Sequence, residues 1–332
     1  MMASASLFDR WIARPRWRWP GWAICTVLLC LPVVLAVAEV GLAAAVRQPG
    51  FRGLLIAPLV ITYIFLVSPL LTRTADQVIL GLRPLLDLDE PSFLALVEAN
   101  SRVGPGRERR VIAGGALLGA LQVLVSIGGW PDSWQEAYWL LTTVALYSLL
   151  GWVIYESFVG TRLIAAIHRK INRVDPLDPH PFDAVGRQSL LVSLVFIGGI
   201  SLSLLLIADQ PETFSRPEFW LVYLPLAMIP VAIFFLNMRP THRLLRRAKR
   251  DELQQVTRQV NASSRHLGGL LEQGQPTGNL AAEIGALMAS ERRLESARTW
   301  PYNTTMLRTL ALSVFVPLAT IVARNVAERI FG

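Results

Sequence analysis

Apolar blocks of about 17 to 24 residues recur along this chain, and no other feature constrains its fold as tightly. A helix rises about 1.5 Å per residue, so about 20 such residues cross the hydrocarbon core of a bilayer. A water-soluble core has no need of that length. The blocks run from about Trp22 to Val46, Leu54 to Leu71, Val111 to Gly129, Tyr138 to Val159, Leu190 to Ala208 and Phe219 to Met238. A seventh, Leu307 to Ala323, is shorter and carries Arg308 at its start, so it either spans or lies partly in the interface; spanning is preferred. The first block contains Ala36-Val37-Ala38, which resembles a cleavage site. Its apolar run continues to Ala45, beyond the length of a signal sequence, and a retained anchor is expected.

The expected fold is therefore all-α: a polytopic transmembrane bundle of six or seven spans. Residues 1–21 form an N-terminal tail, 22–238 the six-span bundle with inner loops 72–110 and 160–188, 239–306 a basic segment followed by a helical hairpin, and 307–332 the last helix. Basic residues alternate between loops. Arg10, Arg14, Arg16 and Arg18 precede the first block; six Lys or Arg lie in 72–110, five in 160–188 and eleven in 239–306. The intervening loops hold Arg47 and Arg52, then none, then Arg216. The positive-inside rule places the N-terminus and the long loops in the cytoplasm. Trp17, Trp19, Trp130, Trp134 and Trp300 flank the blocks at headgroup depth, as indole prefers. The first six blocks make three outer hairpins, but the units share too little residue similarity to be a duplication.

The formal charge of +8 comes largely from these flanking arginines, so it argues for a membrane and not for nucleic acid. Arg243, Arg246, Arg247, Lys249 and Arg250 form a cluster beside the sixth block, expected to meet anionic lipid headgroups; it lacks the interleaved aromatics of a nucleic-acid surface. Beyond it, Leu253, Val256, Val260, Ser263, Leu267 and Leu270 repeat at helical spacing, as do Leu280, Ile284, Leu287, Glu291 and Leu294. Gly274 to Gly278 separates the two runs, and Asn279 is placed to cap the second. The pattern predicts an antiparallel helical hairpin over 253–294, whose seams either pack on each other or dock a protein partner or a second copy. In loop 72–110, Pro91 opens a short helix with an apolar side at Phe93, Leu94, Leu96 and Val97.

Chemistry-bearing residues are few. Glu39 falls late in the first block, where a carboxylate must pair or face water; it is the candidate for an ion pathway, with Pro225 and Pro230 breaking the sixth helix, or else pairs with Arg47 or Arg52. Glu156 and Arg162 read as an interfacial pair. His168, Asp175, Asp178, His180 and Asp183 are metal-ligand types, but the interposed prolines favour a rigid turn with Asp side chains on backbone N–H groups. Gly115 with Gly119, and Gly199 with Ser203, are small-residue faces for close helix packing. Cys25 and Cys30 lie five apart within the first block, offering neither a redox pair nor a zinc site. No phosphate-binding loop, zinc-protease or nucleophile-elbow motif occurs, and no cofactor is expected.

These features rank a non-enzymatic scaffold or signal-coupling protein first, because polar residues in the spans are scarce. A small transporter or channel using Glu39 comes second, and a membrane enzyme using the Asp175–Asp183 segment third. The excess of Arg over Lys suggests a GC-rich genome, hence a bacterial plasma (inner) membrane.

Overall fold

The computed structural model describes residues 18–41, 44, 51–101, 105–171, 174–207 and 217–331; Arg47, Arg216 and the tail before Arg18 lie outside them. Every regular element among the described residues is helical. The order is α1 (Arg18–Val40), α2 (Phe51–Leu82), α3 (Glu90–Ser101), α4 (Pro105–Ile127), α5 (Trp134–His168), α6 (Asp183–Ile207), α7 (Pro217–Glu272), α8 (Leu280–Ser296) and α9 (Thr304–Phe331). Short 3-10 turns occur at Arg83–Leu85 and His180–Phe182, and one isolated bridge joins Leu86 to Ile171. Six helices, α1, α2, α4, α5, α6 and α7, are long and apolar enough to cross a membrane. Their outward side chains agree with a lipid surround: Leu117, Leu121 and Val125 on α4 and Leu221, Leu224 and Met228 on α7 are exposed, which water would penalise over so large a patch.

Several helices outrun the apolar blocks from which they were expected. α2 has 32 residues, α5 has 35 and α7 has 56, so each continues beyond the width of a bilayer at the end where the basic loops lie. The boundary expected between a sixth span ending at Met238 and a separate basic segment falls inside α7. Pro225, Pro230 and Pro240 all lie within this one helix, so the proline pair does not break it. A proline removes one N–H and crowds one carbonyl, which kinks a helix without ending it when neighbours hold both halves. One such neighbour is Ser193 on α6, whose hydroxyl reaches the Pro230 carbonyl at 2.8 Å.

The extensions build a second core beneath the spans. Val78 and Leu82 of α2, Phe93 and Val97 of α3, Ile164 and Ile167 of α5, Phe182, and Leu245 of α7 pack in one buried cluster. The apolar side of the short helix opened by Pro91 thus faces the bundle, with Phe93 and Val97 each 1% exposed. Arg83 closes this region by pairing with Glu90 and lying over the Phe93 ring.

Helix ends follow capping chemistry in part. Ser133 caps α5, its Oγ accepting from the Glu136 N–H at 3.2 Å while Glu136 accepts from the Asp132 N–H at 2.9 Å. Asn303 caps α9, accepting from the Met306 N–H at 2.8 Å. α7 ends on Gly274, whose φ of +64° lets the Gln275 N–H reach the Leu270 carbonyl and the Gly274 N–H the Leu271 carbonyl. Asn279 stands at the start of α8 but makes no side-chain cap. Its φ of −90° and ψ of 5° are not the extended geometry that aims a capping oxygen at the first turn.

α4 and α5 meet closely. A Cβ at Gly115 would overlap the Tyr147 carbonyl, and one at Gly119 would lie 2.9 Å from the Thr143 carbonyl. On α6 the tight positions are Gly186, against the Pro301 carbonyl, and Gly198, against the Tyr63 hydroxyl, whereas Gly199 has ordinary contacts and Ser203 bonds the Ile200 carbonyl at 2.7 Å. α8 runs back along α7: Thr257 donates to Glu291 at 2.6 Å, and Lys249 donates to the Glu295 and Ala297 carbonyls at 2.7 and 3.0 Å.

Candidate functional site: an intramembrane cavity

A cavity of about 1690 Å³ is walled by α2, α4, α5, α6 and α7. On α2 its wall runs from Gly53 to Ile79, about 39 Å of helix, so it follows nearly the whole length of the bundle. Aliphatic side chains such as Val60, Leu146 and Val192 make up most of the surface. Leu118, Leu121 and Leu221 belong to the wall and are also exposed, which puts a mouth on the apolar outer surface.

Polar groups are graded along it. Tyr63, Tyr147 and Tyr223 belong to the wall, and the Tyr223 hydroxyl donates to Ser203 at 3.3 Å. Towards the basic end come Asp76, Glu156, Thr161, Gln188 and Asn237, with Thr161 donating to the Asn237 side chain across α5 and α7. Gln122 also reaches the wall, and its Oε1 is buried without a hydrogen-bond partner. The charged side chains in the described wall are Asp76 and Glu156; no Lys, Arg or His is among them.

Sequence reasoning missed this set for identifiable reasons. Asp76 stands beyond Leu71, where the second block ends, and was counted with loop 72–110. Glu156 is expected from the sequence at an interface beside Arg162, and in the structure it contributes to the cavity wall. A helical wheel extended past Leu71 would have put Asp76 on the face of Thr72 and Ile79, but nothing in the sequence says which helices share a cavity.

Glu39 lies elsewhere. It is exposed at the end of α1, where the Trp134 indole N–H donates to its Oε1 at 2.5 Å and Gln135 Nε2 donates to its Oε2 at 3.4 Å. Of the partners expected for it, Arg47 lies outside the described residues; the described partners are an indole and an amide, because α5 begins beside the end of α1. Neither Glu39 nor Pro230 is in the cavity wall, whereas Pro225 is. A second carboxylate had no forecast: Glu108, in the first turn of α4, is 2% exposed and accepts from the Trp152 indole at 3.2 Å.

The metal-ligand types are dispersed. His168 is 5% exposed, packed edge-on against Phe182 at 5.7 Å between centroids, and both its ring nitrogens lack partners. Asp175 accepts from the Leu177 N–H at 2.8 Å and Asp178 from the His180 N–H at 3.2 Å, which are turns closed on their own backbone. His180 pairs with Asp183 at 3.2 Å on the surface. No group of three or more His, Cys, Asp or Glu side chains that could hold a metal ion occurs among the described residues.

At the basic end, Arg246, Lys249, Arg250 and Arg258 line an open cavity of about 930 Å³ with His242 and Thr299. His242 is stacked on Trp300 at 3.9 Å and bonds the Thr299 carbonyl at 3.0 Å. Within the arginine cluster, Lys249 is committed to carbonyls at the end of α8, while Arg243, Arg246, Arg247 and Arg250 remain exposed.

Comparison with protein-family models, with curated proteins and with solved structures finds no match to this chain.

Proposed function

We propose that this multi-pass membrane protein is a non-enzymatic signal-coupling component that presents the hairpin of α7 and α8 to a cytoplasmic partner. The observation that carries this reading is the continuity of α7. One 56-residue helix includes Pro225, Leu226, Ile229 and Asn237 of the cavity wall and then extends into the arm that pairs with α8. The backbone is helical throughout, Pro240 included, from the wall into the arm.

The seams of the hairpin face each other, with Val256 and Leu294 buried. What is left for a partner is the outer face of α8, where Ala282, Gly285, Ala286 and Met288 are exposed. Small side chains there let another helix approach closely. The arginine distribution puts this arm in the cytoplasm, and the exposed Arg243, Arg246, Arg247 and Arg250 lie at the depth of anionic headgroups. Photocrosslinking from Met288 in cells tests the reading: one defined adduct, with a partner or a second copy, is expected. Recovery of uncrosslinked chain alone would count against it. Single cysteines at Ser133 and Gln275 test the orientation, Ser133 labelling from outside and Gln275 only after permeabilisation.

A second reading, a small transporter, is favoured by the carboxylates Asp76 and Glu156, both in the cavity wall. Flux of cationic solutes into proteoliposomes that falls on Asp76→Asn supports it; flux equal to that of empty liposomes removes it.

A further inference from the structure

We propose that the intramembrane cavity is a binding site for a single long-chain amphiphile with a cationic head, the tail lying along α2 and α5 and the head at Asp76 and Glu156. The inference rests on the cavity alone and holds whether the protein couples a signal or moves a solute.

Three observations define the occupant. The first is shape. A volume of about 1690 Å³ exceeds that of a drug-sized pocket, about 300–1,000 Å³, and the wall extends about 39 Å along one helix, so a long chain fits where a compact solute would leave most of the surface uncovered. The second is polarity. Val60, Leu146, Leu150, Val192 and Ile229 offer nothing to a hydrated ion, but they match a hydrocarbon tail, and the mouth beside Leu118 and Leu121 opens on the surface that faces lipid.

The third is charge. The chain has a formal charge of +8, yet the described wall contains two carboxylates and no basic side chain. An anionic headgroup there would meet the like charge of Asp76 in a medium of low dielectric constant, whereas an ammonium is attracted to it. Asp76 makes no hydrogen bond or ion pair with another described residue, so its carboxylate is available to the head. Gln188, Thr161 and Asn237 belong to the wall at the same end and offer hydrogen-bonding groups, and the Trp152 ring, one helical turn from Glu156, suits a quaternary or primary ammonium.

The test uses the full chain in zwitterionic nanodiscs, titrated with hexadecyltrimethylammonium, hexadecyl sulfate or hexadecanol, each carrying bromine on its tail. Quenching of tryptophan fluorescence reports the tail, since Trp139 and Trp152 are in the wall. Saturable quenching by the cation is expected at concentrations about tenfold below those of the sulfate. In Asp76→Asn the cation weakens about tenfold and hexadecanol is unchanged; in Val192→Phe, which fills the cavity, all three weaken. Quenching that never saturates, that is equal for cation and sulfate, or that persists undiminished in both variants overturns the proposal. Should a variant fail to fold, the cation–sulfate comparison on the natural chain decides by itself.

Discussion

The indole of Trp152 donates to Glu108 at 3.2 Å, and the carboxylate it meets is 2% exposed in the first turn of α4. The same chemistry recurs at the start of α5, where Trp134 donates to Glu39. Each pair joins α5 to a different neighbour, α4 in one case and α1 in the other. α5 is also held by Tyr138, whose hydroxyl donates to the Leu28 carbonyl of α1, so this helix is the strut on which the first half of the bundle is hung.

Removing the buried acceptor should cost more than removing its charge. Glu108→Gln keeps an oxygen for the indole, whereas Glu108→Ala leaves the Trp152 N–H buried without it, at a cost of about 1–3 kcal/mol. Thermal unfolding in detergent checks this, with Glu108→Ala melting well below Glu108→Gln. Equal melting temperatures would show that the indole finds another acceptor.

Glycine spacing on α4 makes a sharper contrast. Gly115→Leu should destabilise by about 3 kcal/mol or more, because its Cβ already overlaps the Tyr147 carbonyl. Gly114→Leu, one position away and with no neighbour within 4 Å of its Cβ, should be close to neutral. Detergent stability of the two variants, compared side by side, reads the difference directly.

His168 is predicted to be replaceable. Its nitrogens are buried without partners in an apolar cluster, an arrangement that costs free energy, so His168→Leu should leave stability unchanged or raise it by about 1 kcal/mol. A metal titration of the natural chain, followed by calorimetry, should give no stoichiometric binding by Asp175, Asp178, His180 and Asp183. Loss of folding in His168→Leu, or a saturable metal site, would contradict this account.

Lys249 and the arginines around it should separate by function. Lys249→Ala removes the two bonds to the end of α8 and should speed amide exchange across Leu280–Ser296 several-fold, equivalent to about 1 kcal/mol. Arg243→Gln with Arg247→Gln should leave that exchange unchanged. It should instead lower selectivity for spin-labelled phosphatidylglycerol over phosphatidylcholine by about 1 kcal/mol per charge, an effect that salt suppresses.

The membrane character of this chain was legible because it is a local property. Length and apolarity of a block are read residue by residue, and the six helices long enough to cross a bilayer coincide with the first six blocks. Turn chemistry was legible in the same way at Gly274 and Gly278, whose positive φ values separate α7 from α8. Helix ends were less so: a hydropathy window stops at Leu71 and Met238, while the backbone continues to Leu82 and Glu272 because polar and charged residues are good helix formers outside the bilayer too.

What the sequence by itself determined is an all-helical chain with apolar helices long enough to cross a membrane, and the alternation of basic loops. The tertiary structure alone decided which carboxylates are functional candidates. Asp76, Glu156, Glu108 and Glu39 are all acidic residues on long helices, and no pattern in the chain distinguishes them. Packing did so, turning Glu39 toward Trp134, burying Glu108 beneath Trp152, and leaving Asp76 and Glu156 in the wall of one cavity. The physical reason is that an apolar block specifies that it must be buried in lipid or protein, whereas the neighbour it is buried against is set by the fit of side chains many residues apart.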